Sequence, residues 1–122
     1  IDRNGSLSPS LKLFDGTVPT LVFRQLKSSS ELNVTFVQHD FTHADWLSSL
    51  LTQLSHQKIA HLTVEGGAWL LQEFVAENLW DEARIFSSNV DMKTGIEKPQ
   101  LKGQLIKQIH IKSDTLKIIH ND

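Results

Sequence analysis

Apolar positions along the chain follow two different periods, and the switches between them mark the elements. Thr20 to Arg24 (TLVFR) is a short, nearly continuous apolar run and predicts a buried strand. Asn33 to Gln38 (NVTFVQ) predicts a second, rich in β-branched and aromatic residues. Leu47, Leu50, Leu51 and Leu54 then recur at i, i+3, i+4 and i+7, the spacing of one helical face. Thr42-His43-Ala44-Asp45 is expected to open that helix, with Thr42 as the cap and Asp45 reaching back in an imperfect capping box. Ile59 to Val64 (IAHLTV) predicts a third strand. A second helix follows Gly66-Gly67, with Leu71, Phe74, Val75 and Asn78 on one face and Leu70 and Leu79 beside it. Ala83 to Ser87, Leu105 to Lys112 and Thr115 to His120 read as strands, the last two joined by a tight turn at Ser113-Asp114. Residues 2–19 and 91–101 are rich in Gly, Pro, Asn and Asp and read as loops, with Leu11, Leu13 and Phe14 pinning the first to the core. The order β, β, α, β, α, β, β, β predicts an α/β fold: a mainly parallel sheet flanked by helices, with an antiparallel hairpin at its C-terminal end.

Composition narrows what such a domain does. At 122 residues the chain has the length of one domain. Lys and Arg number 12 against 14 Asp and Glu, a net charge of −2 with no basic stripe, which argues against nucleic acid as a partner. There is no cysteine, so disulfides and thiolate zinc sites are excluded, a zinc-dependent nucleobase deaminase among them. This fits a reducing, cytoplasmic setting. The apolar runs are far shorter than a membrane span, so no membrane partner is expected. The chain opens on Ile1-Asp2-Arg3 rather than Met, which reads as the end of an apolar strand and as a piece of a longer protein.

The most informative segment is Thr63-Val64-Glu65-Gly66-Gly67-Ala68-Trp69-Leu70-Leu71: strand, di-glycine, helix start. Glycine lets a backbone approach a ligand with no Cβ in the way. A helix N-terminus offers amide donors and partial positive charge to an anion. In open α/β folds ligands bind at the carboxyl ends of the strands. On spacing alone, the same di-glycine also reads as nothing more than a tight turn; it is neither GxGxxG nor a P-loop.

The surrounding residues resemble a known family. Val64-Glu65-Gly66-Gly67, then Leu70-Leu71, Phe74, Leu79 and Asp81-Glu82, resemble the pattern of RibD C-terminal reductase domains of bacterial riboflavin biosynthesis. Ile1-Asp2-Arg3-Asn4-Gly5 resembles the family's strand end, Pro19 to Phe23 its next strand, and Gly95-Ile96-Glu97-Lys98-Pro99 a later loop. The resemblance covers nearly the whole chain. It implies a dihydrofolate-reductase-like fold and reduction of the ribose of 5-amino-6-(5-phosphoribosylamino)uracil to the ribityl compound, with NADPH as hydride donor. It implies that Glu65 contacts substrate and that Gly67, Ala68, Trp69, Leu70, Leu71, Gln72 and Glu73, with Gly66 beside them, bind NADP. Arg3 falls at a further cofactor position. The resemblance also implies that the domain is incomplete: an upstream half, with the Asp-rich, Arg-containing loop that grips the substrate phosphate, is missing, so the isolated segment is expected to be inactive. A reductase of the same fold with another pyrimidine or pterin substrate stays open, as does a non-catalytic association module.

Other polar residues have plainer readings. Glu65 read without the family is equally a cap on a neighbouring amide, and Asp81-Glu82 a solvated turn. His39, His43, Asp40 and Asp45 are close in sequence, but His39 precedes the expected helix start, so the two imidazoles do not share a helical face and no metal is expected. His56 reads as a cation at a helix end, His61 as a strand-face residue, and His110 and His120 as solvent-facing. Trp46, Trp69 and Trp80 read as packing residues. No catalytic residue can be assigned. The terminal hairpin is a candidate contact between subunits of a homo-oligomer.

Overall fold

The computed structural model describes residues 1–31 and 33–122 and places them in two compact units, Ile1–Ala60 and His61–Asp122. In the first unit, strands β1 (Thr20–Arg24) and β2 (Val34–Gln38) pair in parallel, from Thr20↔Val34 to Arg24↔Gln38. Both were legible as apolar runs, and Val22, Phe23 and Val34 are buried. The ladder extends at each end, where the amides of Thr20 and His39 donate to the carbonyls of Asn33 and Arg24. The N-terminal segment docks on the same strand: the Asp2 amide donates to the Phe23 carbonyl and the Gln25 amide to that of Arg3, each at 3.0 Å.

Helix α1 (Trp46–His56) buries Leu47, Leu50 and Leu54, as the leucine spacing predicts, together with Trp46, while Leu51 is half-buried. The helix starts three residues later than expected, capped at Asp45 rather than Thr42. The Thr42 hydroxyl and amide both donate to Asp40 Oδ1, at 2.7 and 2.9 Å, so Thr42 closes a turn onto Asp40 instead of capping the helix. Asp45 is the N-cap residue and makes no side-chain cap bond.

The C-terminus of α1 is a Schellman motif. The Ile59 amide donates to the Leu54 carbonyl and the Lys58 amide to that of Ser55. The motif needs a left-handed residue, and Lys58 takes it at φ 63°. A side chain in that conformation costs about 1–2 kcal/mol, partly offset by its lower unfolded-state entropy relative to glycine. Lys58→Gly should therefore raise stability by about 0.5–1 kcal/mol, read as a higher urea midpoint at unchanged slope. A lower midpoint would show that the lysine side chain contributes more than its backbone strain costs.

In the second unit, α2 (Ala68–Ala76) is followed by β3 (Glu82–Ser87), β4 (Gln104–Ile111) and β5 (Asp114–His120). These three strands form an antiparallel sheet in the order β3-β5-β4. The C-terminal hairpin is present as expected, but its turn is Lys112-Ser113, one residue earlier than Ser113-Asp114, with Asp114 in the strand and Lys112 at φ 55°. Parallel pairing, expected through most of the sheet, is confined among the described residues to β1 and β2. The reason lies in Ile59 to Val64, read as a strand: this segment has no strand structure and His61, Leu62 and Thr63 are exposed. With it goes the strand-face reading of His61. Strand propensity expresses itself only against a neighbouring strand, and neither sheet supplies one here.

Helix α2 buries Phe74, with Leu71 and Val75 half-buried. Asn78, assigned from its spacing to the same face, lies beyond the helix at φ 55° and completes a second Schellman motif. The side-chain amide of Asn121 donates to Asn78 Oδ1 at 3.0 Å and to the Trp80 carbonyl at 2.8 Å, and its backbone amide to the Asp81 carbonyl. This clasp ties the end of β5 to the turn after α2. At the start of β4, a Cβ on Gly103 would run into the His120 carbonyl, so only glycine lets the two strands pass this closely. A bulge between Leu105 and Lys107 follows directly.

Candidate functional site

Residues Glu65 to Glu73 sit together at the N-terminus of α2, and the two glycines there differ in kind. A Cβ on Gly66 would meet Leu70 Cδ2 at 2.8 Å and Leu70 Cβ at 3.2 Å, so Gly66 is needed for the helix to fold back against its own entry. A Cβ on Gly67 would meet nothing within 4 Å. Gly67 is the N-cap residue at φ −64°, ψ 163°, a conformation open to any L-residue. Neither sterics nor backbone geometry requires glycine at this position.

The helix end is left available to an anion. Gly67 offers no side-chain cap, the first turn contains no acidic residue, and the first helical hydrogen bond runs from the Leu71 amide to the Gly67 carbonyl. The amides of Ala68 and Leu70 therefore lie ahead of the helical ladder. Glu65 is exposed and no described residue bonds to its carboxylate, so the capping role does not apply to it. Further along, Trp69 is 55% exposed rather than packed inside, Leu70, Leu71 and Glu73 are half-buried, and Gln72 is exposed.

Arg3, the remaining candidate, belongs to the first unit. Its guanidinium lies 5.9 Å from the centre of the Phe41 ring, and the side chain is exposed. Its carbonyl accepts from the Gln25 amide, and the loop that follows it is closed by Asp2, which is buried. Asp2 Oδ1 accepts from the amides of Ser6 and Leu7 at 2.9 and 3.4 Å, and Oδ2 accepts from Arg24 Nη2 at 2.9 Å. Arg24 in turn stacks on Phe36, 4.2 Å from the ring centre, and its Nε is buried with no hydrogen-bond partner. The Asp-Arg-x-Gly spacing is thus a structural device: the aspartate closes the loop over which Gly5 turns at φ 65°.

The first unit also holds a polar cleft of about 330 Å³ where β2 ends and α1 begins, lined by Gln38, His39, Asp40, His43, Asp45, Trp46, Ser49 and Gln53. The histidine at its base is already committed. His39 is buried, its Nε2 donates to the Trp46 carbonyl at 2.8 Å, and Nδ1 accepts from Gln53 at 2.9 Å. Both nitrogens are used, and the ring packs edge-on against Phe23, Phe41 and Trp46. Nothing in the sequence announces this, because Gln53 lies fourteen residues away on a helix. The Thr42 hydroxyl, with the Thr42 amide and Gln25, holds the Asp40 carboxyl well below the usual carboxylate range. Asp40 also faces His43 Nε2 at 3.2 Å on the surface.

The turn after α2 is structural. Asp81 is tied through its carbonyl to Asn121, and the Arg84 guanidinium, with a smaller effect of His120, lowers the carboxyl of exposed Glu82.

One known family shares the sequence pattern of this chain, and solved structures share its fold. The sequence matches the RibD C-terminal domain family over residues 1–111. The fold is similar to the RibD structures of Acinetobacter baumannii. Form 2 matches with a TM-score of 0.75 at 21% identity and form 1 with 0.72 at 22%. Each match covers 97% of this chain and 35% of the other, so this chain spans about a third of those proteins. No curated protein matches it in sequence. With the di-glycine entry to α2, the N-terminal Asp-Arg-x-Gly and a match over residues 1–111, the chain belongs to the RibD C-terminal domain family.

Proposed function

We propose that the chain forms one wall of the active site of a riboflavin-pathway reductase, with the Gly67 end of α2 holding a phosphate of NADPH and Glu65 facing the substrate. The observation that carries this reading is Gly67: a glycine that neither sterics nor backbone geometry requires, in front of open space, at a helix end with no side-chain cap. A ligand approaching the backbone is what excludes a side chain there.

The residues fit such a cofactor. The N-terminal turn of α2 contributes about 1–2 kcal/mol toward one phosphate. Arg3, in the first unit, is an exposed cation, and its assignment to the cofactor rests on the resemblance alone. When bound, NADPH supplies the hydride that takes the ribosyl group of 5-amino-6-(5-phosphoribosylamino)uracil to ribityl. The Glu65 carboxylate accepts a hydrogen bond from a substrate hydroxyl or ring amide and so orients the sugar for transfer. Family membership supports the reductase class, and the specific substrate and cofactor rest on the resemblance of the Glu65-Gly66-Gly67 segment.

Gly67→Val tests it in the protein that carries this chain. Valine accepts this backbone conformation and its Cβ meets no atom, so stability without ligand should fall only by the loss of a favoured N-cap residue, about 1 kcal/mol. The Kd for NADPH, read by fluorescence titration, should rise at least about tenfold. An unchanged Kd, or no binding by the unsubstituted protein at millimolar NADPH, overturns the assignment.

A further inference from the structure

Gln25, the first residue after β1, ties two segments of the first unit together. Its backbone amide donates to the Arg3 carbonyl at 3.0 Å. Its side chain turns to the segment that leaves β2: Oε1 accepts from the Phe41 amide at 3.1 Å, and Nε2 donates to Asp40 Oδ1 at 3.2 Å. One residue therefore fixes both Arg3 and the residue whose ring the Arg3 guanidinium overlies, 5.9 Å from its centre. An amide side chain is what this position requires. Glutamate would set a second carboxylate against Asp40, and lysine or arginine would offer no acceptor to the Phe41 amide.

The ring beneath Arg3 is rigid. Phe41 is 5% exposed, with its ring centre 4.8 Å from that of His39 and 5.4 Å from that of Trp46. His39 is held at both nitrogens by residues of α1. Arg3 itself is exposed. A long exposed side chain gives up rotamer freedom when it grips an anion, and that loss weakens binding. A cation drawn to a fixed ring within about 6 Å has given up part of that freedom beforehand. Its N–H donors stay available to a phosphate.

We propose that Gln25 is a positioning residue for ligand binding: through Phe41 it holds the Arg3 guanidinium ready for a phosphate. The inference rests on the assignment of Arg3 to the cofactor. The test is the Kd for NADPH, titrated over a range of salt concentrations in the protein carrying this chain. Arg3→Ala should weaken binding and flatten its salt dependence, because salt screens an exposed contact between charges. Gln25→Ala should raise the Kd at least about threefold and flatten the salt dependence in the same way. Phe41→Leu, which leaves the backbone amide on Gln25 and removes the ring, should do the same. In the Arg3→Ala background neither substitution should weaken binding further, a non-additivity that a general loss of stability does not produce. An unchanged Kd in either variant that folds overturns the proposal. So do losses that add to that of Arg3→Ala, which would place the effect on another contact. Arg3→Ala with an unaltered Kd overturns the proposal together with the Arg3 assignment, and leaves the reading of Gly67 to its own variant. No NADPH binding by the unsubstituted protein overturns both.

Discussion

Asp2→Ala should cost about 3–5 kcal/mol, the loss expected when one member of a buried ion pair is removed. The carboxylate is 2% exposed and serves three donors, the amides of Ser6 and Leu7 and the Arg24 guanidinium. Alanine strands all three. Arg24 bears the larger share, because it is only 18% exposed and already has one unpartnered nitrogen among Phe36 and its neighbours. Water cannot easily replace the lost carboxylate there. Asp2→Asn keeps an acceptor for the loop amides but not the charge, so it should fall between alanine and the native residue. Chemical denaturation of the three proteins gives the ranking. A loss below about 1 kcal/mol for alanine would show that the loop is held by its backbone contacts to β1 and that the ion pair is incidental.

Leu47→Ala should cost about 2–5 kcal/mol. Leu47 is 1% exposed, the most completely buried large side chain among the described residues, and it shares the inward face of α1 with Leu50 and Leu54. The loss combines the transfer of three carbon atoms with the cavity left behind, and it depends on how far the neighbours collapse. Ser55, on the exposed side of the same helix, is the control: Ser55→Ala should stay within about 0.5 kcal/mol. Equal effects at the two positions would mean that α1 is not anchored by its leucine face.

The contrast between these leucines and Ile59 to Val64 shows what the sequence could reveal. Helical spacing is a property of one segment, so α1 was legible from four leucines. A strand is a property of two segments. TLVFR and NVTFVQ found each other, and the C-terminal strands found β5, but IAHLTV has no neighbour in either sheet and stays irregular. The helix start failed for a local reason, since Asp40 competes for the Thr42 hydroxyl and wins. At the site, the two glycines are identical letters. Only the atoms around them separate Gly66, which leaves room for Leu70, from Gly67, which leaves room for something outside the fold. The buried bonds of His39 were illegible for the same reason, because they join a strand end to a helix.

The order β3-β5-β4 has a consequence for the making of the protein. The middle strand of this sheet is the last of the three in the chain, so β3 and β4 leave the ribosome with no partner to pair with. Neither can be sequestered until residues 114–120 emerge, and the Asn121 clasp, which reaches back 43 residues to Asn78, locks only after that. The first unit has no such delay, since β1 and β2 follow one another directly. During synthesis the second unit therefore passes through an interval in which Phe86, Leu105 and Ile106 lie on unpaired strands, and that interval, more than the finished fold, sets its exposure to misassembly and chaperone capture.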